Sequence, residues 1–425
     1  MIFILIVSFL ILLFSSVPVA VAMGLSGIFA LKLSGIPLLL FAQKSFSMVD
    51  NFCWLAIPFF VIAGEAMGRG GLSKRIIKFG NCLVGHFTGG LCMSAIICSV
   101  IFAGISGSAS ADTSAIGSVI IPTLLKKGYN KGFVSSLIAA GGSLGPIIPP
   151  SITMILYGSI AQLPIGKLFL AGAIPGLTMG LGFLVVCYFL CKKMGYVGEN
   201  KASLSELGVS FIQALPALFA PAIVLGGIFS GFFTATESGI IAAIYSLFVG
   251  VFIYKEIKIW DFKDILLKSS YTTSIVILIV AVSGTFTSLL IRENIPFKFI
   301  NWVTGVTDNP SLIVLFVILF ILFIGMFVEV AAATVMLAPI LYPLAAQFGL
   351  DPIHFGAIVV IALVIGMTTP PVGSILFLST AIAKGSVRET SRYILPYLAV
   401  MMLVLFMMAY YPPLATYLPT LILGG

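Results

Sequence analysis

Long apolar runs separated by short clusters of basic residues extend from one end of the chain to the other. A helix that crosses the hydrocarbon core of a bilayer needs roughly 20 mostly apolar residues, and the chain holds about a dozen segments of that kind. Of its 425 residues, 60% are hydrophobic and only 8% are charged, whereas soluble domains carry about 25% charged residues. The pattern predicts an all-α polytopic membrane protein.

Five clusters of basic residues give the expected orientation. Cytoplasmic loops carry an excess of Lys and Arg, so we expect all five to face the cytoplasm. The net charge of +8 is then loop charge, and no nucleic acid is expected as a partner, because a nucleic-acid surface would gather basic residues on one face. The clusters are Arg69, Lys74, Arg75 and Lys78; Lys126, Lys127 and Lys131; Lys192, Lys193 and Lys201; Lys255, Lys258, Lys263 and Lys268; and Lys384, Arg388 and Arg392.

The stretches between clusters must cross the membrane in pairs or dip into it and return. Residues 133–162 with 168–191, and residues 210–232 with 234–253, each fit an outward and a returning crossing. Residues 80–125 instead hold a centre of small and polar residues between two apolar arms. This pattern predicts a re-entrant hairpin that opens to the cytoplasm.

In the second half, residues 269–290 are expected to cross outward to a loop with Arg292, Glu293, Lys298 and Asp308. Residues 311–346 have two apolar arms around a break from Gly325 to Glu329, and residues 355–383 form one long interrupted span. Parity then makes residues 311–346 a second hairpin that opens to the outside. The two hairpins are therefore expected to be inverted relative to each other.

The N-terminal apolar run ends in a sequence that resembles a signal-peptide cleavage site. Its first charged side chain is Lys32, so it lacks the basic segment with which signal peptides begin. We therefore expect residues 1–23 to be a retained span. Residues 24–48 are expected to span as well, which places residue 1 outside.

Similar residues recur at an offset of 221 positions, which predicts an internal repeat. Inverted repeats with broken helices are typical of secondary transporters. The matching pairs are Gly104 and Gly325, Thr113 and Thr334, Pro122 and Pro343, Gly145 and Gly366, Pro149-Pro150 and Pro370-Pro371, and Pro175 and Pro396.

The two Pro-Pro pairs should each interrupt a spanning helix, because proline lacks an N–H and clashes with the preceding turn. Carbonyls left unpaired in hydrocarbon are unfavourable by several kcal/mol each. A dehydrated sodium ion would satisfy them, and Ser106, Thr368 and Thr369 add hydroxyls beside the breaks. The alternative is that the prolines only kink packed helices.

The six cysteines include no CxxC pair, and the chain has only two histidines, His86 and His354. Neither a metal site nor a disulfide framework is expected from this pattern. The cysteines are Cys53, Cys82, Cys92, Cys98, Cys187 and Cys191.

Four motifs give the chain a specific resemblance over essentially its whole length. It resembles the large membrane subunit of TRAP transporters, and among these the sialic-acid-transporting members. The motifs begin at Gly104 (GISGSASAD), Gly145 (GPIIPP), Thr234 (TATESG) and Gly366 (GMTTPP).

The resemblance implies an elevator-type transporter in a bacterial inner membrane. A transport domain of residues 80–162 and 291–383, each a hairpin and a broken helix, would slide against scaffold helices in residues 1–79 and 163–290 and one C-terminal scaffold helix in residues 384–425. It also implies two partners, a small four-helix membrane subunit and a periplasmic substrate-binding protein. Na⁺ is the implied coupling ion, and no other cofactor is expected.

The resemblance further implies two sodium sites, bound mostly through main-chain carbonyls. The first would involve Ala103, Ser106, Gly145, Ile148 and Pro149, and the second Gly325, Gly366, Thr369 and Val372.

An organic anion in a low-dielectric site needs donors, which helix N-termini, hydroxyls and one basic group can supply. Asp112 either accepts from the substrate or caps the second hairpin arm. Arg292 either pairs with a carboxylate or contacts the interface and Glu293. Glu237 is expected to belong to the scaffold. The candidate substrate residues are Ser108, Ser110, Asp112, Thr113, Arg292 and Glu329.

Three other functional classes fit the sequence less well. Residues 141–145 match the nucleophile motif G-x-S-x-G, but no strand precedes them and neither histidine has a recognisable partner, so no catalytic residue is expected. A channel would also fit re-entrant hairpins, yet inverted hairpins favour alternating access. A sodium-coupled carboxylate carrier that needs no binding protein is the nearest alternative.

Overall fold

The structure, a computed structural model, describes residues 1–15, 17–295, 297–298, 301, 305 and 309–424. Asp308, expected in the outer loop, lies outside these residues. The first half holds ten α-helices in the described part: α1 Ile2–Phe14, α2 Val19–Leu33, α3 Leu39–Val49, α4 Ala56–Arg69, α5 Leu72–Val84, α6 Gly90–Ser106, α7 Ala109–Lys126, α8 Lys131–Gly142, α9 Ile152–Ala161 and α10 Ile165–Lys193.

The described residues of the second half add nine more α-helices. A 3₁₀ turn, Phe52–Leu55, precedes α4, and a π turn, Val249–Ile253, follows the helix Ala235–Phe248. The nine helices are α11 Leu204–Phe229, α12 Ala235–Phe248, α13 Ile259–Arg292, α14 Pro310–Phe327, α15 Val330–Gln347, α16 Pro352–Gly366, α17 Ser374–Ile382, α18 Val387–Tyr410 and α19 Pro413–Leu423.

The prediction of an all-α polytopic membrane protein is confirmed. Within the described ranges, seven helices are long and apolar enough to cross a bilayer. Their outer faces are apolar too: on α10, Leu177, Leu181, Val185 and Phe189 follow one another at every fourth position, and each is at least half exposed. Such a stripe would be unfavourable in water and is expected in contact with lipid.

Two expectations about the chain ends are wrong in their bounds. Residues 1–23 are not one helix, because α1 ends at Phe14 and Pro18 precedes α2 as its N-cap. The C-terminal region, expected as one helix, is divided into α18 and α19. Pro412 and Pro413 follow Tyr411, the residue after the end of α18, and proline cannot continue the ladder of the preceding helix.

Five consecutive helices recur in the same order in both halves. The first residues of α14 to α18 follow those of α6 to α10 by 220 to 222 positions. The two sets also pack across each other: α15 lies on α9, and α17 lies on α7 and α8. The two halves therefore share one core, with α10 and α18 packed against each other beside it.

Candidate functional site

Both Pro-Pro pairs lie in gaps between helices, as the sequence predicted. The first gap separates α8, which ends at Gly142, from α9, and the second separates α16, which ends at Gly366, from α17. Ser151 caps the restart of the chain at α9, since its hydroxyl accepts a hydrogen bond from the Met154 amide at 3.1 Å. We call the two gaps break 1 and break 2.

The turn between α6 and α7, which we call tip 1, is docked on break 1. Gly107 has a φ of +62°, and a Cβ there would lie 2.6 Å from the carbonyl oxygen of Pro150. Glycine alone avoids both problems. The Gly107 carbonyl accepts a hydrogen bond from the Ile152 amide at 3.3 Å, so the tip and the break form one unit.

Asp112 brings a carboxylate into this contact. Its side chain is fully buried. The Ser106 hydroxyl donates to Oδ1, while Oδ2 has no hydrogen-bond partner among the described residues. A Cβ on Gly145 would lie 2.5 Å from Oδ2. The free oxygen therefore faces break 1. The alternative role of Asp112 as a helix cap is wrong, because Ser108 is the N-cap of α7.

The main chain of break 1 exposes further oxygens. Within the described part of the chain, no amide donates to the carbonyls of Gly145, Ile148 or Pro149. Ala103 and Ser106 across the contact are buried as well. Unwound carbonyls of this kind coordinate Na⁺ in transporters, and a buried carboxylate is stable when paired with a cation. The residues predicted for the first sodium site thus lie around a contact whose donor atoms suit a hard cation.

Break 2 is packed more closely through glycine. A Cβ on Gly366 would lie 2.7 Å from Cα of Gly325, so these two predicted ligands are brought into backbone contact. The Gly366 carbonyl accepts from the Thr369 amide at 2.9 Å, and the Thr369 hydroxyl donates to the Ile365 carbonyl at 2.7 Å. Val372, the fourth predicted member, is 39% exposed.

The turn between α14 and α15, tip 2, ends in a charged cap. Glu329 is the N-cap of α15, and its carboxylate accepts hydrogen bonds from the amides of Ala331 and Ala332 at 2.9 and 3.2 Å. The helix N-terminus at tip 2 is therefore already neutralised by the chain's own anion.

A cavity of about 600 Å³ lies between the two tips. Of the predicted substrate residues, Ser108, Ser110 and Glu329 line it, whereas Asp112 and Thr113 lie behind its wall. Sequence reasoning missed Thr153, Tyr271 and Thr272, which also line it. The hydroxyl-bearing Tyr-Thr-Thr run of α13, beginning at Tyr271 inside an apolar stretch, was the available signal.

A second cavity, of about 430 Å³, adjoins the first and shares Ser108, Ser110, Tyr271 and Thr272 with it. Its wall includes Glu65 and Lys268, whose charged atoms are 3.6 Å apart. The space between the tips thus continues towards the end of α13 that carries Lys268.

Arg292 lies far from both cavities. It is the last residue of α13, is exposed, and makes no ion pair in the part of the chain that the structure describes. It follows Ile279, the last cavity residue of that helix, by 13 residues, which is about 20 Å along a helix. Its predicted pairing with a carboxylate stays a prediction.

The motif that begins at Thr234 has a structural explanation. The Thr234 hydroxyl accepts from the Glu237 amide at 3.2 Å, and the Glu237 carboxylate accepts from the Thr234 amide at 2.7 Å. This reciprocal arrangement is a capping box that starts α12, in keeping with the scaffold role expected for Glu237.

Comparison with known proteins decides the family. Residues 6–414 match the family model of the DctM component of tripartite ATP-independent periplasmic transporters. The chain belongs to this family. It is 38% identical to the sialic acid TRAP transporter large permease protein SiaM of Vibrio cholerae, with 90% of each chain covered. It is also 38% identical to the C4-dicarboxylate TRAP transporter large permease protein DctM of Pseudomonas aeruginosa, covering 89% of this chain and 88% of that one.

A third relative is a longer protein, of which the chain matches only a part. The isethionate TRAP transporter permease protein DctMQ of Oleidesulfovibrio alaskensis is 38% identical over 93% of this chain, which spans 63% of that protein's length. The DctM family is a family of transporter permeases of the bacterial inner membrane, so the chain is a multi-pass permease component and not a member of an enzyme family.

Proposed function

We propose that this chain is the large membrane subunit of a tripartite transporter that takes up a small organic acid, driven by sodium entry. The observation that carries the proposal is the buried Asp112 carboxylate, whose free oxygen faces unpaired carbonyls at break 1. An oxygen-lined pocket that includes a carboxyl group, in low dielectric, favours a bound monovalent cation. Sodium at break 1 would hold tip 1 in place, and a second ion at break 2 would do the same for tip 2.

An elevator movement fits the packing of the two halves. The recurrence of five helices and their mutual packing support an inverted repeat, in which tips 1 and 2 move as one body with the breaks. The contacts of α10 and α18 with this core favour their moving with it, which enlarges the transport domain beyond residues 80–162 and 291–383. Helices α1 to α4 and α11 to α13 then form the scaffold.

The orientation of the cavity supports an inward-facing state. Its continuation leads to Lys268, in one of the basic clusters expected at the cytoplasm. Arg292 lies at the opposite end of α13, about 20 Å beyond Ile279, the last cavity residue of that helix. We infer that the substrate carboxylate meets Arg292 when the transport domain is at the outer side and leaves it as the domain moves inward.

The substrate class follows from the cavity and from the relatives. Tip 1 presents a helix N-terminus with Ser108 and Ser110 and no capping carboxylate, which favours an anion. Relatives are named for the carboxylates sialic acid, C4-dicarboxylates and 2,3-diketo-L-gulonate and for the sulfonate isethionate, all of them small organic anions. We propose sialic acid or a C4-dicarboxylate-like anion for this chain, delivered by a periplasmic binding protein and translocated with a small four-helix membrane subunit.

Reconstitution tests the proposal directly. Proteoliposomes that contain the chain and its small subunit, supplied with binding protein, should accumulate radiolabelled sialic acid or succinate when an inward Na⁺ gradient is imposed. Replacing Na⁺ by K⁺ should abolish accumulation. Equal uptake in both cations would overturn the sodium mechanism, and uptake without any binding protein would instead support a stand-alone sodium/carboxylate carrier.

A further inference from the structure

Three of the six cysteines meet at one point, although they are distant in sequence. Cys92 is in the first turn of α6, whereas Cys187 and Cys191 are one turn apart near the end of α10. All three side chains are fully buried, and their sulfur atoms lie within 4.8 Å of one another. No spacing in the sequence predicts this contact, because it depends on the packing of α6 against α10.

The spacing of the sulfurs matches that of a metal-bound trio. A Zn²⁺–thiolate bond is about 2.3 Å long, so three sulfurs around an ion in their own plane are about 4.0 Å apart. The Cys187 and Cys191 sulfurs are 4.0 Å apart. Gly89 keeps the space open, since a Cβ there would lie 2.3 Å from the Cys191 sulfur.

A buried cysteine often acts only as a small apolar side chain. Cys98, which is on α6 like Cys92, is an example. Its sulfur faces the Ser73 carbonyl at 4.0 Å and belongs to no thiol cluster within the described residues. The trio differs because each thiol faces the other two.

A cavity lies near the thiols, at the end of α10 that carries the basic residues Lys192 and Lys193. This cavity of about 230 Å³ is lined by Leu91, the neighbour of Cys92 in the chain, and by Tyr129. Lys127 and Glu199 form an ion pair at this cavity. Hydrogen bonds from Lys127 and then Asn81 lower the pKa of the Glu199 carboxyl, which keeps this carboxyl ionised in its pair with Lys127.

We propose that Cys92, Cys187 and Cys191 form a binding site for one thiophilic metal ion of the Zn²⁺, Cd²⁺ or Cu⁺ class. Thiolate ligands select such ions over hard cations. Binding replaces up to three S–H protons, which leave to water as each sulfur becomes a thiolate ligand. The ion would join α6, the first arm of the hairpin that α6 and α7 form, to α10. This site is independent of the proposed sodium sites.

Cadmium titration of the purified protein tests the site. Wild type should bind one Cd²⁺ per chain, with a thiolate-to-metal charge-transfer absorbance, release of protons, and a rise in the thermal unfolding temperature. The doubly substituted C53A/C82A variant and the matched buried control Cys98→Ala should behave like wild type. Each of Cys92→Ala, Cys187→Ala and Cys191→Ala should weaken binding by more than about tenfold.

The titration of the wild-type protein tests the site however well the variants fold. Wild-type protein that shows no saturable cadmium absorbance would overturn the proposal without any substitution. A folded Cys92→Ala variant that still binds one Cd²⁺ with wild-type affinity would overturn it as well. Competition by Zn²⁺ in wild type, together with loss of the absorbance in the three single variants, would support it.

Discussion

Ser108 and Glu329 occupy equivalent positions, 221 residues apart, and each is the N-cap of the second arm of its hairpin. Their chemistry differs. The Ser108 side chain makes no capping bond and instead lies 3.3 Å from the Ser110 hydroxyl, whereas the Glu329 carboxylate takes two amides of its own helix. One tip thus leaves its helix N-terminus available to an anion, and the other has already supplied one.

The buried positions behind the tips differ as well, but here the carboxylate belongs to tip 1 and not to tip 2. Asp112 behind tip 1 corresponds to Ala333 behind tip 2, and Thr113 corresponds to Thr334. The Thr113 hydroxyl has no partner among the described atoms, whereas the Thr334 hydroxyl donates to the Val330 carbonyl at 2.7 Å. Break 1 therefore faces a carboxylate and an unused hydroxyl, and break 2 faces apolar or satisfied groups.

The comparison teaches that similar helix bounds carry two different sites. At break 1, unpaired carbonyls and a charge make a polar contact between hairpin and break. At break 2, Gly325 and Gly366 bring two backbones together. We expect the first contact to depend strongly on its bound cation, and the second to depend on close packing as well as on its bound cation.

The largest effect is expected from removing the charge at break 1. Asp112→Asn keeps the shape of the side chain but withdraws the buried carboxylate from a bound cation, which should weaken sodium binding by about 3 kcal/mol, roughly a hundredfold. The measurement is the sodium-induced rise in thermal unfolding temperature without substrate. Asp264→Asn, which alters an exposed carboxylate paired with Arg69, is the control and should keep the full sodium response.

A packing change at break 2 should come next. Gly366→Ala places a methyl group 2.7 Å from Cα of Gly325, where backbone atoms cannot move aside, so we expect a loss of about 2 kcal/mol in stability. Thermal unfolding in sodium-free detergent solution measures it. Gly208→Ala, on a helix position with open space around it, should not lower stability, and equal losses in the two variants would disprove the packing argument.

The two caps give a smaller contrast. Glu329→Ala removes two capping hydrogen bonds and should lower stability by about 1 kcal/mol, while Ser108→Ala removes none and should stay within about 0.5 kcal/mol of wild type. Ser108→Ala should instead weaken substrate binding, measured by calorimetric titration. A stability loss at Ser108 as large as that at Glu329 would contradict the assigned asymmetry.

The smallest contrast lies in the two threonines. In sodium-free solution Thr113→Val removes a buried hydroxyl that lacks a partner, so stability should rise by up to about 1 kcal/mol. Thr334→Val removes a hydroxyl that is bonded, so stability should fall or stay unchanged. Chemical unfolding midpoints of the two variants, compared with wild type, test the difference; a loss at Thr113 would show that its hydroxyl is satisfied.

Local sequence chemistry was enough to predict the helical fold and both breaks. Consecutive prolines disrupt a helix wherever they stand, so Pro149-Pro150 and Pro370-Pro371 identified the gaps. The role of Asp112 was harder, because a cap depends on where the preceding helix ends, and Gly107 places that end so that Ser108 becomes the cap. The N-terminal bounds failed because Pro18 ends an apolar run that hydropathy alone reads as continuous.

Contacts between distant segments were beyond the reach of pattern reasoning. Tyr271 and Thr272 face the cavity only because α13 passes beside tip 1, and the three thiols meet only because α6 packs on α10. Neither the contact of α13 with tip 1 nor that of α6 with α10 corresponds to a fixed spacing of residues in the sequence. The family resemblance supplied candidate ligands, and the structure added the free carboxylate oxygen beside them.

The central claim, that the polar contact at break 1 holds sodium, is tested most directly by equilibrium binding of radioactive Na⁺ to the purified chain. We expect saturable binding that excess unlabelled Na⁺ displaces and K⁺ does not, with affinity lowered about a hundredfold in Asp112→Asn. Binding that is absent in wild type, or that is unchanged in Asp112→Asn, would contradict the claim.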